Sequence, residues 1–247
     1  VLWQIFLAIF KPNTCPAIQT LGELKKPSIT YLLKTIFPPL FLIIIVLGSI
    51  LAGIATPTES AAVGAIGAST LAWQRGVLTL SVLKKVSQET TKISSMVFVI
   101  LIGASMFSLV FRGFGGDTVI EEFLKNLPGG AFSAMLLVMV VLFFLGFFLD
   151  FIEIIFVVVP IVGPILIALG FDPLWLGVMI AVNLQTSFLT PPFGFALFYL
   201  RGVAPNEVKT SQIYQGVMPF IVIQLIGLSL FWIFPDIVTW LPRLIFD

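Results

Sequence analysis

Residues 183–194 read Asn-Leu-Gln-Thr-Ser-Phe-Leu-Thr-Pro-Pro-Phe-Gly, and apolar residues flank this stretch from Leu174 to Val182 and from Phe195 to Leu200. No other feature constrains the fold as tightly. A helix that crosses lipid must satisfy its backbone hydrogen bonds internally, because hydrocarbon supplies no partners. Pro191 and Pro192 lack an N–H and crowd the preceding turn, so the sequence predicts that the helix breaks there. Carbonyls freed at membrane depth are tolerated only where protein or a water-filled cavity surrounds them. Broken helices of this kind build ion and substrate sites near the bilayer midplane. The plainer alternative is a proline kink whose polar groups bond to neighbouring helices.

Composition agrees with a membrane protein. The chain is 59% hydrophobic and 10% charged, with a mean hydropathy of +1.13, against about 25% charged residues in soluble domains. Its 247 residues leave room for several spans of roughly 20 residues each. A net charge of +1 gives no reason to expect a nucleic-acid partner. Cys15, the single cysteine, cannot form an internal disulfide. Histidine is absent, which removes His-activated nucleophiles, most zinc sites and His proton relays.

The sequence opens at Val1 with a short apolar run, without Met or a basic leader. That run is too short to span and is unlike a signal peptide, so the chain is expected to be the C-terminal part of a longer protein. Residues 1–247 read as one transmembrane domain. Residues 11–34 form a polar loop carrying Lys11, Lys25, Lys26 and Lys34, and residues 74–92 a second with Arg75, Lys84, Lys85 and Lys92. Eight of the thirteen basic residues therefore lie in two loops, which the positive-inside bias assigns to the cytoplasm. Apolar segments at 36–55 and 60–73 go out and back between them. Spans are expected at 92–112, 131–149 and 213–234, with an amphipathic surface helix at 117–125 and interfacial tryptophans at 232 and 240. Residues 150–169 are apolar but hold Pro160, Gly163 and Pro164. They can form one kinked span or a re-entrant hairpin of two short arms. Residues 174–200 carry the broken helix.

Three constellations can carry chemistry. Asn183, Thr186 and Thr190 follow a three-then-four spacing and share one helix face. With Gln185, Ser187 and unwound carbonyls they offer neutral oxygens, which a hard cation such as sodium prefers. Thr186, Thr190 and Gly194 are the Na+ candidates. The half-helix restarting near Phe193 points its positive end at a position suited to a substrate carboxylate, and Gly194 leaves room for close approach. Asp150 and Glu153, three apart, share one helix face. A carboxylate in apolar surroundings is a functional candidate by default, while a boundary between two helices is the plainer role. Thr56-Pro57-Thr58-Glu59 starts a helix: a threonine caps it and Glu59 suits its N-terminus. The small residues that follow, Ala61 to Ala68, favour close helix packing.

Taken together, Gly53-Ile-Ala-Thr-Pro-Thr-Glu-Ser-Ala-Ala-Val-Gly64, Gly146-Phe-Phe-Leu-Asp-Phe-Ile-Glu-Ile154 with Pro160 and Pro164, and Asn183 to Gly194 resemble a known pattern. The chain is similar to the large membrane subunit of tripartite ATP-independent periplasmic (TRAP) transporters, the DctM-like family. The resemblance implies an all-α polytopic bundle in the bacterial cytoplasmic (inner) membrane. The fold implied is an elevator-type transporter of two inverted repeats, each with a re-entrant hairpin and a broken helix. On that template 150–169 is the second hairpin, and the first hairpin and broken helix precede Val1. The implied activity is sodium-driven symport of an organic acid, without ATP and without an enzymatic step or cofactor. The implied partners are a soluble periplasmic solute-binding protein and a small four-helix membrane subunit.

The alternative function is the permease subunit of an ABC importer, which Ala61-Ala-Val-Gly-Ala-Ile-Gly67 superficially resembles. An intramembrane protease needs a Ser–His pair or two buried aspartates. Histidine is absent and only Asp150 is a credible deep aspartate.

Overall fold

The computed structural model describes residues 2–10, 28–191, 194–205 and 208–246, so Cys15 and Pro192 lie outside the described residues. Among the described residues the regular structure is helical, and the chain divides into two compact units, Val1–Leu80 and Ser81–Asp247.

The first unit holds α1 (Leu2–Phe10), α2 (Ile29–Leu51) and α3 (Pro57–Gln74). Of the polar loop expected at 11–34, residues 11–27 lie outside the described residues, and Lys34 already lies in α2. Pro38 and Pro39 sit inside α2 without ending it. The chain turns at Gly53, whose φ of +66° favours a residue without a Cβ. α3 then packs back along α2. The Ser49 and Ser60 hydroxyls meet at 2.9 Å, Gly64 faces Val46, and Gly67 faces Leu42. Small residues let the two backbones approach, as in membrane helix pairs generally.

The second unit begins with α4 (Leu80–Gly113), 34 residues long. The basic stretch 74–92 is therefore mostly helix and not a loop. Lys, Glu and Gln are good helix formers, and Glu89 and Lys92 pair three residues apart at 2.9 Å. α5 (Gly116–Lys125) follows a left-handed Gly115, and turns Leu124 inward. α6 (Gly130–Leu145) leads through the turn Gly146–Asp150 into α7 (Phe151–Ala168).

Residues 150–169 thus form one helix rather than a hairpin of two arms. The backbone widens to a π-type turn at Ile154–Val158, where the Val159 N–H reaches back to the Ile154 carbonyl. Pro160 lies just beyond it, in the first turn of the α-helical part, so its missing N–H is absorbed where the ladder is already offset.

α8 (Pro173–Leu189), α9 (Phe195–Val203), α10 (Thr210–Ile233) and α11 (Asp236–Phe246) complete the unit. α8 packs on both α6 and α10. The main core gathers Met135 and Leu142 from α6, Ile154 and Leu166 from α7, and Trp175 and Met179 from α8. A smaller cluster joins Leu197 to Ile213, Val217 and Ile221. Trp232 packs edge-on to Phe132 and Trp175, and the Trp175 indole N–H donates to the Phe231 carbonyl at 2.8 Å. Trp240 remains exposed on α11.

Among the described residues, four helices are long and apolar enough to cross a bilayer: Tyr31–Leu51, Leu80–Gly113, Phe151–Ala168 and Thr210–Ile233. Their outward apolar residues, such as Ile44, Phe98, Val99 and Ile226, are the surface a lipid environment covers.

Candidate functional site

Two discontinuities of the second unit meet. One is the turn Gly146–Asp150 between α6 and α7; the other is the break between α8 and α9. A Cβ on Gly146 would lie 2.1 Å from the Ser187 Oγ and 2.9 Å from its Cβ, so the turn rests directly on the last turns of α8. Phe151 and Phe188 add an edge-on ring contact at 6.1 Å. Asn183, 3% exposed, donates from its Nδ2 to the Met139 carbonyl at 2.8 Å and ties α8 to α6.

The break follows from local chemistry. Thr190 adopts an extended backbone (φ −88°, ψ 123°), as a residue preceding proline is pressed to do. Its N–H donates to the Ser187 carbonyl at 3.0 Å, and its hydroxyl to the Thr186 carbonyl at 2.8 Å. The Gly194 N–H returns to the Thr190 carbonyl at 3.1 Å. A Cβ on Gly194 would meet the Phe188 carbonyl oxygen at 2.3 Å and the Thr190 oxygen at 3.0 Å. Space, and not φ, demands glycine here: φ is −41°.

Thr186 and Ser187 are fully buried, and their hydroxyls donate to the Val182 and Leu184 carbonyls at 2.8 and 2.7 Å. Each hydroxyl oxygen keeps lone pairs after donating its proton. The break is thus lined by neutral oxygens. Among the described residues no group of three Asp, Glu, Cys or His is placed to hold a metal ion. Gln185 is exposed and stands apart from Asn183, Thr186 and Ser187.

Pro191 is half-buried at the end of the described part of the break. Asp150 is also half-buried, but it precedes α7 with an extended backbone (φ −69°, ψ 155°), and its Oδ1 accepts from the Phe151 N–H at 2.7 Å. Asp150 is the cap of α7 and Glu153 the third residue inside it.

Thr56, Pro57, Thr58 and Glu59 belong to the first unit. Thr56 and Glu59 form a reciprocal cap. The Glu59 N–H donates to the Thr56 Oγ1 at 3.3 Å, and the Thr56 N–H and hydroxyl both donate to the Glu59 Oε2 at 2.8 Å. The backbone bond first, then the hydroxyl, hold the Glu59 carboxyl below its ordinary value. Pro57 occupies the first helical position, which asks for no N–H. Thr58 is exposed.

The sequence reading passed over Gln224 of α10. Its Oε1 is buried, and among the described residues it has no hydrogen-bond partner. A lone amide inside the apolar run Ile221–Leu230 was the available signal.

Residues 4–237 match the family described as "Tripartite ATP-independent periplasmic transporter, DctM component". The chain belongs to the DctM family. DctM proteins are transporter permeases and not enzymes, and with the four long apolar helices this makes the chain part of a multi-pass membrane protein. It is similar to the sialic acid TRAP transporter large permease protein SiaM of Vibrio cholerae, with 30% identity over 86% of this chain and 49% of that protein. The C4-dicarboxylate TRAP transporter large permease protein DctM of Rhodobacter capsulatus is 30% identical over 83% of this chain and 47% of its own length. The isethionate TRAP transporter permease protein DctMQ of Oleidesulfovibrio alaskensis is 32% identical over 74% of this chain and 28% of its own. The chain spans about half the length of the large permeases it matches.

Proposed function

We propose that this chain forms the C-terminal half of the large permease of a sodium-coupled symporter for an organic acid in the bacterial inner membrane. A periplasmic solute-binding protein delivers the substrate, a small four-helix membrane subunit braces the permease, and ATP takes no part. The observation that carries this reading is the Gly146–Asp150 turn seated on the last turns of α8, which lead into the α8–α9 break. A tight turn beside a helix break gathers hydroxyl and carbonyl oxygens at one place in an apolar body, as ion-coupled carriers require. Thr190 and Gly194 are the sodium-facing members, Thr186 and Ser187 stiffen the end of α8, and Asn183 positions it. The names of the relatives, which include sialic acid and C4-dicarboxylate, support an organic anion as substrate. An ABC-importer permease is disfavoured, since Ala61 to Gly67 lie within α3 and pack on α2.

The test is uptake into proteoliposomes holding the complete large subunit, its small subunit and the binding protein. Uptake that requires an inward sodium gradient, with ATP absent and potassium ineffective, is the expected result. Uptake independent of sodium, or dependent on ATP and an added ATPase, would overturn the proposal.

A further inference from the structure

A crevice runs between α4 and α7, away from the α8–α9 break. It has a volume of about 370 Å³, with Ser105, Ser108 and Arg112 on one wall and Phe156 and Pro160 on the other. A smaller cavity of about 130 Å³ continues it, shares Ser108, Arg112 and Pro160, and adds Asp117 and Glu121 of α5. Arg112 is exposed and forms no ion pair within 4.0 Å with any described carboxylate. Glu121 is engaged by Lys125. One cation and one uncommitted carboxylate, Arg112 and Asp117, therefore line the same space without pairing with each other.

Depth orders these groups. The helix from Lys92 to Arg112 is about 30 Å long, the thickness of a hydrocarbon core, so Arg112 stands at headgroup level. Ser108 and Ser105 lie roughly 6 and 10 Å further in, where lipid ester groups sit. The Ser105 hydroxyl gives its proton to the Leu101 carbonyl and presents its oxygen. Below them Leu101 and Phe156 make the wall apolar.

We infer that this crevice holds one phospholipid with a zwitterionic headgroup, a phosphate joined to a primary ammonium. The Arg112 guanidinium takes the phosphate in its two-pronged geometry. Asp117 takes the ammonium, whose N–H groups a quaternary amine lacks. A purely anionic headgroup meets the repulsion of Asp117, and the serines and apolar wall accommodate the glycerol and one acyl chain.

The experiment uses the complete transporter, stripped of lipid in detergent and supplied with phosphatidylethanolamine, phosphatidylcholine or phosphatidylglycerol of identical chains. Thermal unfolding and retention in native mass spectrometry are the two readouts. Phosphatidylethanolamine should raise the unfolding midpoint most. Asp117→Asn should cut its retention roughly tenfold, to the level of phosphatidylcholine, and Arg112→Gln should weaken retention of all three lipids. Both positions are partly or fully exposed, so the folded protein should survive either change. Equal responses to the three lipids, or an unchanged ranking in both variants, would overturn the inference. So would a midpoint shift of the same size from free phosphoethanolamine, which carries no chains to fill the crevice.

Discussion

Gly146→Ala offers the sharpest test of how the site is held. The added methyl would lie 2.1 Å from the Ser187 Oγ, 2.9 Å from its Cβ and 3.4 Å from the Leu142 carbonyl oxygen. Rotation of Ser187 can withdraw the Oγ, at the loss of its bond to the Leu184 carbonyl, worth about 1 kcal/mol. No rotation moves the Cβ. Carbon atoms pack at about 3.5–4.0 Å, so the turn and α8 must part by roughly half an ångström or more. Overpacking of this kind costs about 1–3 kcal/mol. The partner change Ser187→Gly removes the obstructing atoms, itself costing about 1 kcal/mol as a helical glycine and a further 1 kcal/mol or so for the lost hydrogen bond. The double variant should therefore be more stable than the sum of the singles by about 1–3 kcal/mol, a coupling that a double-mutant cycle resolves. Thermal unfolding of the complete permease measures it, with sodium-dependent uptake as the functional readout. Strict additivity would show that the turn does not rest on Ser187, and the site geometry would fall with it.

Thr190→Val keeps the shape and removes the hydroxyl; sodium dependence of uptake should weaken several-fold, and an unchanged sodium response would remove Thr190 from the ion site. Thr56→Ala should destabilise the permease by about 1 kcal/mol without altering sodium coupling, read by unfolding and by uptake of the surviving protein. Because the Glu59 carboxyl is lowered in the folded state, its contribution is present above the ordinary carboxylate pKa and fades as pH falls through the lowered value. Wild type and Glu59→Gln should therefore draw together in stability as acidification carries the pH below the ordinary carboxylate range, and a gap that does not shrink would contradict the cap. Gln224→Met, which removes a buried acceptor without a partner, should leave stability equal or higher; a marked loss would mean that the amide is satisfied in the assembled transporter.

The α8–α9 break and its oxygens were legible because proline, threonine and glycine act through local backbone rules. Yet the rule was incomplete: Pro38 and Pro39 make the same pair inside α2 and the helix runs on. What distinguishes the second pair is the extended backbone of Thr190 before it (φ −88°, ψ 123°), where the residues before Pro38 and Pro39 stay helical. Gln185 could have been separated from the site by helical geometry, since two residues carry it well around from Asn183. Gly146 could not have been found by looking for reactive groups, because its contribution is an absent side chain. Of the two forms open to residues 150–169, the single span is the one present, with the wide turn at Ile154–Val158 absorbing the proline. The lysines of 84–92 read as a cytoplasmic loop by their charge, yet Lys, Glu and Gln are sound helix formers and these residues make the first turns of α4.

The length of α4 has a mechanical consequence. Its 34 residues make a rod of about 51 Å, well beyond the roughly 30 Å of hydrocarbon. Lys84, Lys85 and Lys92 lie at one end and Arg112 at the other. Sliding the rod either way along the membrane normal would drag a cation into oil. It can lean, but it cannot rise or sink. α4 is a mooring post of fixed depth, and any excursion of the Gly146–Gly194 site across the membrane would have to be travel past it.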